Sequence, residues 1–210
     1  MNPPPPDRRD GPRLRFALLG DSIAWGQGAA RPDDRLGPRL TGALQARGHD
    51  VEHRVLAVPG ARSRDLGGQV EAALAWRPTL ALVVVGANDL THREPLDMAV
   101  GALADAVRAL RGAGAEVVVA PAPDLGAVPH VPAFLRDAVR RASADLRQRQ
   151  ADVVRREGGR VADPDGRASH AFAADAALFS ADRFHPSSAG YAVIADAILP
   201  ALEETARRVS

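Results

Sequence analysis

The chain has 210 residues, 46% of them hydrophobic, few aromatics, no cysteine, and 27 basic against 26 acidic side chains for a formal net charge of +1. That length and apolar content suffice for one core without covalent staples, so a second domain is not expected. Disulfide frameworks and thiolate metal sites are excluded, and the balanced charge, whose basic side is arginine alone, gives no general electrostatic case for nucleic acid.

Residues 1–12 begin Met1-Asn2, continue through four prolines to Asp7-Arg8-Arg9-Asp10, and read as a flexible or polyproline-like tail. No apolar stretch before Leu14 is long enough for a signal peptide, so a cytoplasmic location is expected. No apolar run approaches the ~20 residues of a membrane span, so stable membrane insertion is not expected either. Residues 13–210 then read as a single domain in which short apolar runs alternate with longer periodic segments. Leu14 to Leu19, Val51 to Val58, Leu80 to Val85, Val117 to Ala120 and Arg160 to Ala162 are predicted strands. The third is so uniformly apolar that both its faces should be covered, which places it at the centre of a sheet. Helical spacing joins Leu96, Val100, Leu103, Val107 and Leu110, and again Leu135, Val139, Ala142, Leu146 and Val153. A last helix opens near Ser187 and carries Tyr191, Ile194 and Ile198, with Pro200 expected to kink or end it.

Strands alternating with helices imply a parallel sheet covered on both sides, joined by right-handed crossovers. Ligands of such sheets bind beyond the carboxyl ends of the strands. Three motifs fall there: Gly20-Asp21-Ser22 after the first strand, Pro59-Gly60-Ala61-Arg62-Ser63 after the second and Gly86-Ala87-Asn88-Asp89 after the third. A fourth, Asp182-Arg183-Phe184-His185-Pro186, precedes the last helix. Ser22, His185 and Asp182 supply a hydroxyl, an imidazole and a carboxylate, the groups that turn a weak nucleophile into a strong one and hold its proton. An imidazole base must be neutral to accept a proton, so activity is expected to rise as pH passes through roughly 6 to 7.

These four segments, in this order, resemble the SGNH or GDSL hydrolases, a family of esterases, lipases, thioesterases and carbohydrate deacetylases. Ile23 departs conservatively from the leucine that usually ends the first motif. The resemblance implies a three-layer α/β/α, flavodoxin-like fold with a five-stranded parallel sheet in the order 2-1-3-4-5. It implies Ser22 as nucleophile, His185 as base and Asp182 as its partner. The oxyanion hole would come from the backbone amides of Ser22 and Gly60 and the side chain of Asn88. No cofactor and no metal are implied. The expected activity is cleavage of a small carboxylic ester or thioester through an acyl-serine intermediate. The alternatives are acyl transfer or carbohydrate deacetylation at the same site, and a non-catalytic binding protein that keeps the fold.

Other residues carry weaker signals. Trp25 and the loop from Ala122 to Val131, with Leu125, are candidate walls of a substrate pocket, the alternative for Trp25 being packing under the nucleophile loop; Arg62 and Arg64 are candidates to meet a substrate carboxylate or phosphate, and His92 lies close enough to Asn88 to line the cleft. For Arg62 and Arg64 a salt bridge with Asp65 or a neighbour is the competing reading. Asp21 and Asp89 read as structural carboxylates that hold loop amides, and the histidines other than His185 as solvated or satisfied. Asp163-Pro164-Asp165-Gly166 reads as a turn and not as a calcium loop, because Arg167 and Ala174 stand where ligands are needed. The arginines between Arg140 and Arg156 interleave with Asp145, Asp152 and Glu157, the pattern of a solvated helix face.

Overall fold

The computed structural model of the chain describes residues 13–209, and the stretch read as a tail lies outside them. Five strands, β1 (Leu14–Gly20), β2 (Val51–Val55), β3 (Leu80–Val84), β4 (Glu116–Ala120) and β5 (Arg160–Val161), form one parallel sheet in the order β2-β1-β3-β4-β5. Among the described residues eight α-helices accompany them: α1 (Ser22–Trp25), α2 (Leu36–Gln45), α3 (Leu66–Trp76), α4 (Ala87–Thr91), α5 (Leu96–Gly112), α6 (Arg136–Arg156), α7 (Arg167–Ala174) and α8 (Ser188–Ala206).

The period-2 alternation of strand side chains splits the interior into two cores. Leu14, Phe16 and Leu18 of β1 and Leu80, Leu82 and Val84 of β3 face α2 and α8, where Leu36, Leu40, Tyr191, Ile198 and Leu202 meet them. Ala17, Leu19, Ala81 and Val83 point the other way, onto Leu66 and Val70 of α3, Leu103 and Val107 of α5 and Val154 of α6. The result is a three-layer α/β/α sandwich. Each large side chain removed from water in this way contributes roughly 1.5–3 kcal/mol before entropy is charged against it. As the uniform apolarity of the third strand requires, β3 lies at the centre with every residue buried.

Two elements differ from the sequence reading. β2 is regular only to Val55, since it is an edge strand with Arg54 and Val55 exposed, although Leu56 and Val58 still donate to the carbonyls of Leu18 and Gly20 at 2.8 and 3.0 Å. Pro200 does not end the last helix, which continues to Ala206. Proline removes one backbone hydrogen bond, but Leu202, Thr205 and Ala206 beyond it are buried, and that burial outweighs the loss. Among the described residues no helix is long and apolar enough to cross a membrane.

Candidate active site

The chain order places β1 and β3 side by side while their following connections diverge to opposite sides, which opens a crevice at their carboxyl ends. Two buried glutamines fix that edge. Gln69 of α3 accepts from the Gly20 amide at 2.7 Å and donates to the Gly20 carbonyl at 2.9 Å. Gln150 of α6 accepts from the Ala122 amide at 2.8 Å and donates to the Val85 carbonyl at 3.1 Å. Each amide side chain binds one backbone N–H and one carbonyl where a strand leaves the sheet, so the loops leave the strands in defined directions. β1 and β3 approach so closely there that a Cβ on Gly20 would lie 1.8 Å from the Val84 carbonyl oxygen.

Ser22 is the first residue of α1, and Asp21 caps that helix by accepting from the Ile23 amide at 2.9 Å. The Ser22 hydroxyl is buried, with its Oγ 3.1 Å from Nε2 of His185. On the other side of the ring, Nδ1 of His185 lies 2.6 Å from Oδ2 of Asp182. The second oxygen of Asp182 accepts from the Ser180 hydroxyl at 2.8 Å and from the backbone amides of Phe184 and His185 at 2.9 Å. Partial burial by itself would raise the Asp182 carboxyl, but the hydrogen bonds from His185, Phe184 and Ser180 outweigh it and hold the group well below the usual carboxylate range. An ionised Asp182 keeps the ring proton on Nδ1, which leaves Nε2 as the acceptor facing Ser22.

The second and third motifs are tied to each other. Asn88 donates from Nδ2 to the Ala61 carbonyl at 3.0 Å, and buried Asp89 accepts from the Ser63 amide at 3.0 Å and the Ser63 hydroxyl at 2.9 Å. Burial raises the Asp89 carboxyl and the Ser63 bonds oppose that. Asp21 is similarly buried, and desolvation, with the nearby charge of Asp89 adding to it, pushes its carboxyl up to about 7. Both aspartates thus hold loop amides, as their reading as structural groups expects. Gly60 has a left-handed backbone with φ of 84° and only open space where a Cβ would project. Its need for glycine is therefore conformational, and nothing packed against it demands the missing side chain. Among the described residues, the backbone amides of Ser22 and Gly60 donate to no acceptor within the protein.

The loop after α1 buttresses the histidine. Tyr191 of α8, fully buried, donates to the Gln27 carbonyl at 2.7 Å. Gly28, next along, backs directly onto the Pro186 carbonyl and the His185 Cβ. Farther on, Asp34 accepts from the Ser188 hydroxyl at 2.9 Å and from Arg39 at 2.9 Å, joining this loop to the start of α8.

Beside Ser22 and His185 lies a cavity of about 80 Å³ walled by Ile23, Leu125, Val128, Phe172, Phe184 and Ile194. Of the four residues read from sequence as candidates for the substrate pocket, Leu125 lines it. Trp25 instead stacks on the Arg35 guanidinium at 4.3 Å. Arg62 pairs with Glu94 at 3.2 Å, and Arg64 approaches the same carboxylate at 3.7 Å, which is the competing reading realised. His92 ends α4, exposed, with Nδ1 2.9 Å from the Asn88 carbonyl. The sequence reading passed over Gln69, Gln150 and the phenylalanines. For the glutamines a signal exists: Gln150 follows Leu146 by four residues on the apolar stripe of α6, and Gln69 stands between Leu66 and Ala73 on α3. A polar residue at a core position needs a buried partner. Phe172 carries no such signal, since only the fold brings it to Ser22, whereas Phe184 stands beside His185 in the fourth motif.

Comparison with known proteins agrees with this architecture. Residues 18–193 match the model of the GDSL-like Lipase/Acylhydrolase family. The GDSL-like esterase Rv1075c of Mycobacterium tuberculosis (strain ATCC 25618 / H37Rv) is 35% identical over 196 residues, covering 91% of this chain. The chain spans 62% of that relative's length. Among solved structures, TesA superposes with a TM-score of 0.75 at 19% identity, covering 91% of this chain and 99% of TesA. Axe2, an acetylxylan esterase from Geobacillus stearothermophilus, gives 0.70 at 21% identity, covering 92% of this chain and 96% of Axe2. The psychrotrophic esterase EstA from Pseudoalteromonas sp. gives 0.73 at 17% identity, covering 92% and 98%. At these identities the likeness is one of fold.

Proposed function

Because the chain belongs to the family of GDSL-like lipases and acylhydrolases, we propose that it is a serine hydrolase that cleaves a carboxylic ester or thioester through a covalent acyl-Ser22 intermediate. The observation that carries this reading is the unbroken relay from Ser22 Oγ to His185 Nε2 at 3.1 Å and from His185 Nδ1 to Asp182 at 2.6 Å. A hydroxyl is unreactive at neutral pH unless a base accepts its proton as it attacks. His185 takes that proton while Ser22 Oγ bonds to the carbonyl carbon, and Asp182 stabilises the imidazolium. The carbonyl oxygen becomes an anion facing the free amides of Ser22 and Gly60 and the remaining N–H of Asn88, donors already fixed in place before the reaction. Collapse breaks the bond to the leaving alcohol or thiol, which receives the proton from His185. Water then enters, His185 removes its proton, and attack on the acyl carbon releases the acid and restores Ser22.

Residues 13–210 form one hydrolase domain in this proposal, and no residue outside it is assigned a role. The test is a panel of chromogenic esters and thioesters run on the protein, on Ser22→Ala and on Asp182→Asn. Ser22→Ala is expected to lose at least about 10⁴-fold in kcat, the scale seen when a triad nucleophile is removed. Turnover equal in the variant and the parent would rule out acyl-serine chemistry and leave the fold as a binding scaffold. Adding a sugar or alcohol acceptor separates hydrolysis from acyl transfer, because transfer diverts product from the free acid.

A further inference from the structure

Resting on the hydrolase reading above, we propose that the Arg35 guanidinium, stacked on the ring of Trp25 one helical turn beyond Ser22, docks an anionic group, a carboxylate or a phosphate, carried on the leaving alcohol of the substrate. Ser22 and Trp25 stand three residues apart in α1, so they share a helix face, with Cβ atoms about 5–6 Å apart. The guanidinium lies 4.3 Å from the centre of the Trp25 ring. The stem of Arg35 packs against the chain at Gly26, where an added Cβ would meet its Cβ and Cγ at 2.5 Å. Its charge also reaches the Tyr191 hydroxyl: burial pushes that hydroxyl up, the charges of Asp21 and Asp182 add to the shift, and Arg35 opposes it. The cation is thus held beside the segments that carry Ser22 and Asp182.

What Arg35 lacks is an anion. Its Nε is the one buried side-chain nitrogen or oxygen without a partner among the described residues. Among the same residues its terminal nitrogens, which are not buried, meet neither a hydrogen-bond acceptor nor a carboxylate. The neighbouring carboxylate is already occupied, since Asp34 accepts from Arg31 at 3.0 Å, Arg39 at 2.9 Å and the Ser188 hydroxyl at 2.9 Å. A guanidinium presents five N–H donors in a planar fork that fits a carboxylate or a phosphate. Leaving them unanswered in a partly buried place costs free energy, which an anionic ligand would recover. Stacking on Trp25 fixes the plane of the fork and leaves its terminal nitrogens reachable.

The leaving part of the ester is the part that this position suits. Neither Trp25 nor Arg35 lines the apolar cavity beside Ser22, and Trp25 is 36% exposed. The alcohol must depart before water can attack, so its contacts belong where solvent has access.

The test uses acetyl esters of 3-hydroxybenzoate, 3-(4-hydroxyphenyl)propanoate and 4-hydroxyphenyl phosphate, each beside an uncharged counterpart: the two amides and 4-methoxyphenol. Phenyl succinate and phenyl succinamate put the same contrast on the acyl side. All are run on the parent, Arg35→Met and Arg35→Lys. Methionine keeps a hydrocarbon stem against Gly26 and Trp25 and removes the fork, and comparing ratios between proteins cancels the intrinsic reactivity of each ester. From parent to Arg35→Met, kcat/KM for at least one anionic leaving group should fall about tenfold or more relative to its uncharged counterpart, the scale of a charge-assisted hydrogen bond. The loss should lie in KM and not in kcat, because the contact is made equally in ground and transition states. Arg35→Lys, which keeps the charge without the fork, should recover part of the preference, and about 0.5 M NaCl should weaken it in the parent. An equal loss on charged and uncharged esters would make Arg35 a structural residue, and a shift confined to the succinate pair would put the anion on the acyl side; either overturns the assignment. Should Arg35→Met not fold, Arg35→Gln carries the same comparison. Titration calorimetry of the parent with 4-hydroxyphenyl phosphate and 3-hydroxybenzoate must then still favour one anion over its uncharged counterpart by about tenfold, equal affinities overturning the assignment. Turnover that depends on Ser22 and ignores the charge of the leaving group removes the anion dock alone, whereas turnover equal in Ser22→Ala removes the hydrolase reading beneath it.

Discussion

Single residues at this site act through the atoms they hold in place. Asn88 presents one N–H to the Ala61 carbonyl, and in the proposed mechanism its other N–H meets the substrate oxyanion. Asn88→Ala is therefore expected to reduce kcat by about 100- to 1000-fold, the usual effect of one lost oxyanion donor, with near-unchanged circular dichroism. A reduction of only a few fold would remove Asn88 from the hole. Asp21 makes a different prediction. Its carboxyl, 1% exposed and pushed up to about 7, stays protonated in the folded protein over a pH range, roughly 4 to 7, where the unfolded chain has already released the proton. The native state then binds more protons than the unfolded one, so stability falls as pH rises through that window and levels above it. Asp21→Asn keeps an acceptor for the Ile23 amide and lacks the titration. Relative to the parent, the variant should gain roughly 2–4 kcal/mol between pH 4 and 8, read from urea unfolding at several pH values. A difference that does not change with pH would show that Asp21 ionises normally.

At the scale of elements, Ser22 and His185 are brought together by two segments that lie far apart in sequence. α1 presents Ser22, and the turn after it is pinned by Tyr191 of α8. The histidine loop runs into the same α8, whose N-cap Ser187 accepts from the Gly190 amide. Gly28 is where the two segments touch: with φ of 93° and a would-be Cβ 2.5 Å from the Pro186 carbonyl, only glycine fits. Gly28→Ala must displace the loop that carries His185 from the one that carries Ser22. Catalytic geometry is sensitive to shifts of about 1 Å, so kcat should drop by about 100-fold with a smaller change in KM. Steady-state kinetics that instead show an unaltered kcat would mean that the loops tolerate the displacement. The continuation of α8 beyond Pro200 belongs to the same scale, because an element here persists when its far side is buried.

For the whole molecule, one sheet separates two cores, and each tryptophan reports on a different side. Trp25 stacks on Arg35 at the start of α2, on the face of the first core, while Trp76 packs against the second. Because β1 and β3 contribute alternate side chains to both, the cores are expected to unfold together, with coincident denaturant midpoints for Trp25→Phe and Trp76→Phe proteins monitored by the remaining indole. Separate midpoints would reveal two cooperative units. The alternation of short apolar runs with period-3.6 segments is a local property of the chain, and it sufficed for the α/β class, the five strands and the central place of β3. Motif order likewise singled out Ser22, Gly60, Asn88, Asp182 and His185 as candidates, since each stands in a loop where a strand ends or a helix begins. What local pattern could not supply is which distant segments share a wall. The glutamine clamps, the Gly28 contact, the fate of Trp25 and Arg62, and the phenylalanine lining of the cavity arise only when crossovers stack helices from opposite ends of the chain. Strand and helix periods are written along the chain because they depend on neighbours a few residues away, whereas the shape of the cleft depends on volumes and partners that meet only in three dimensions.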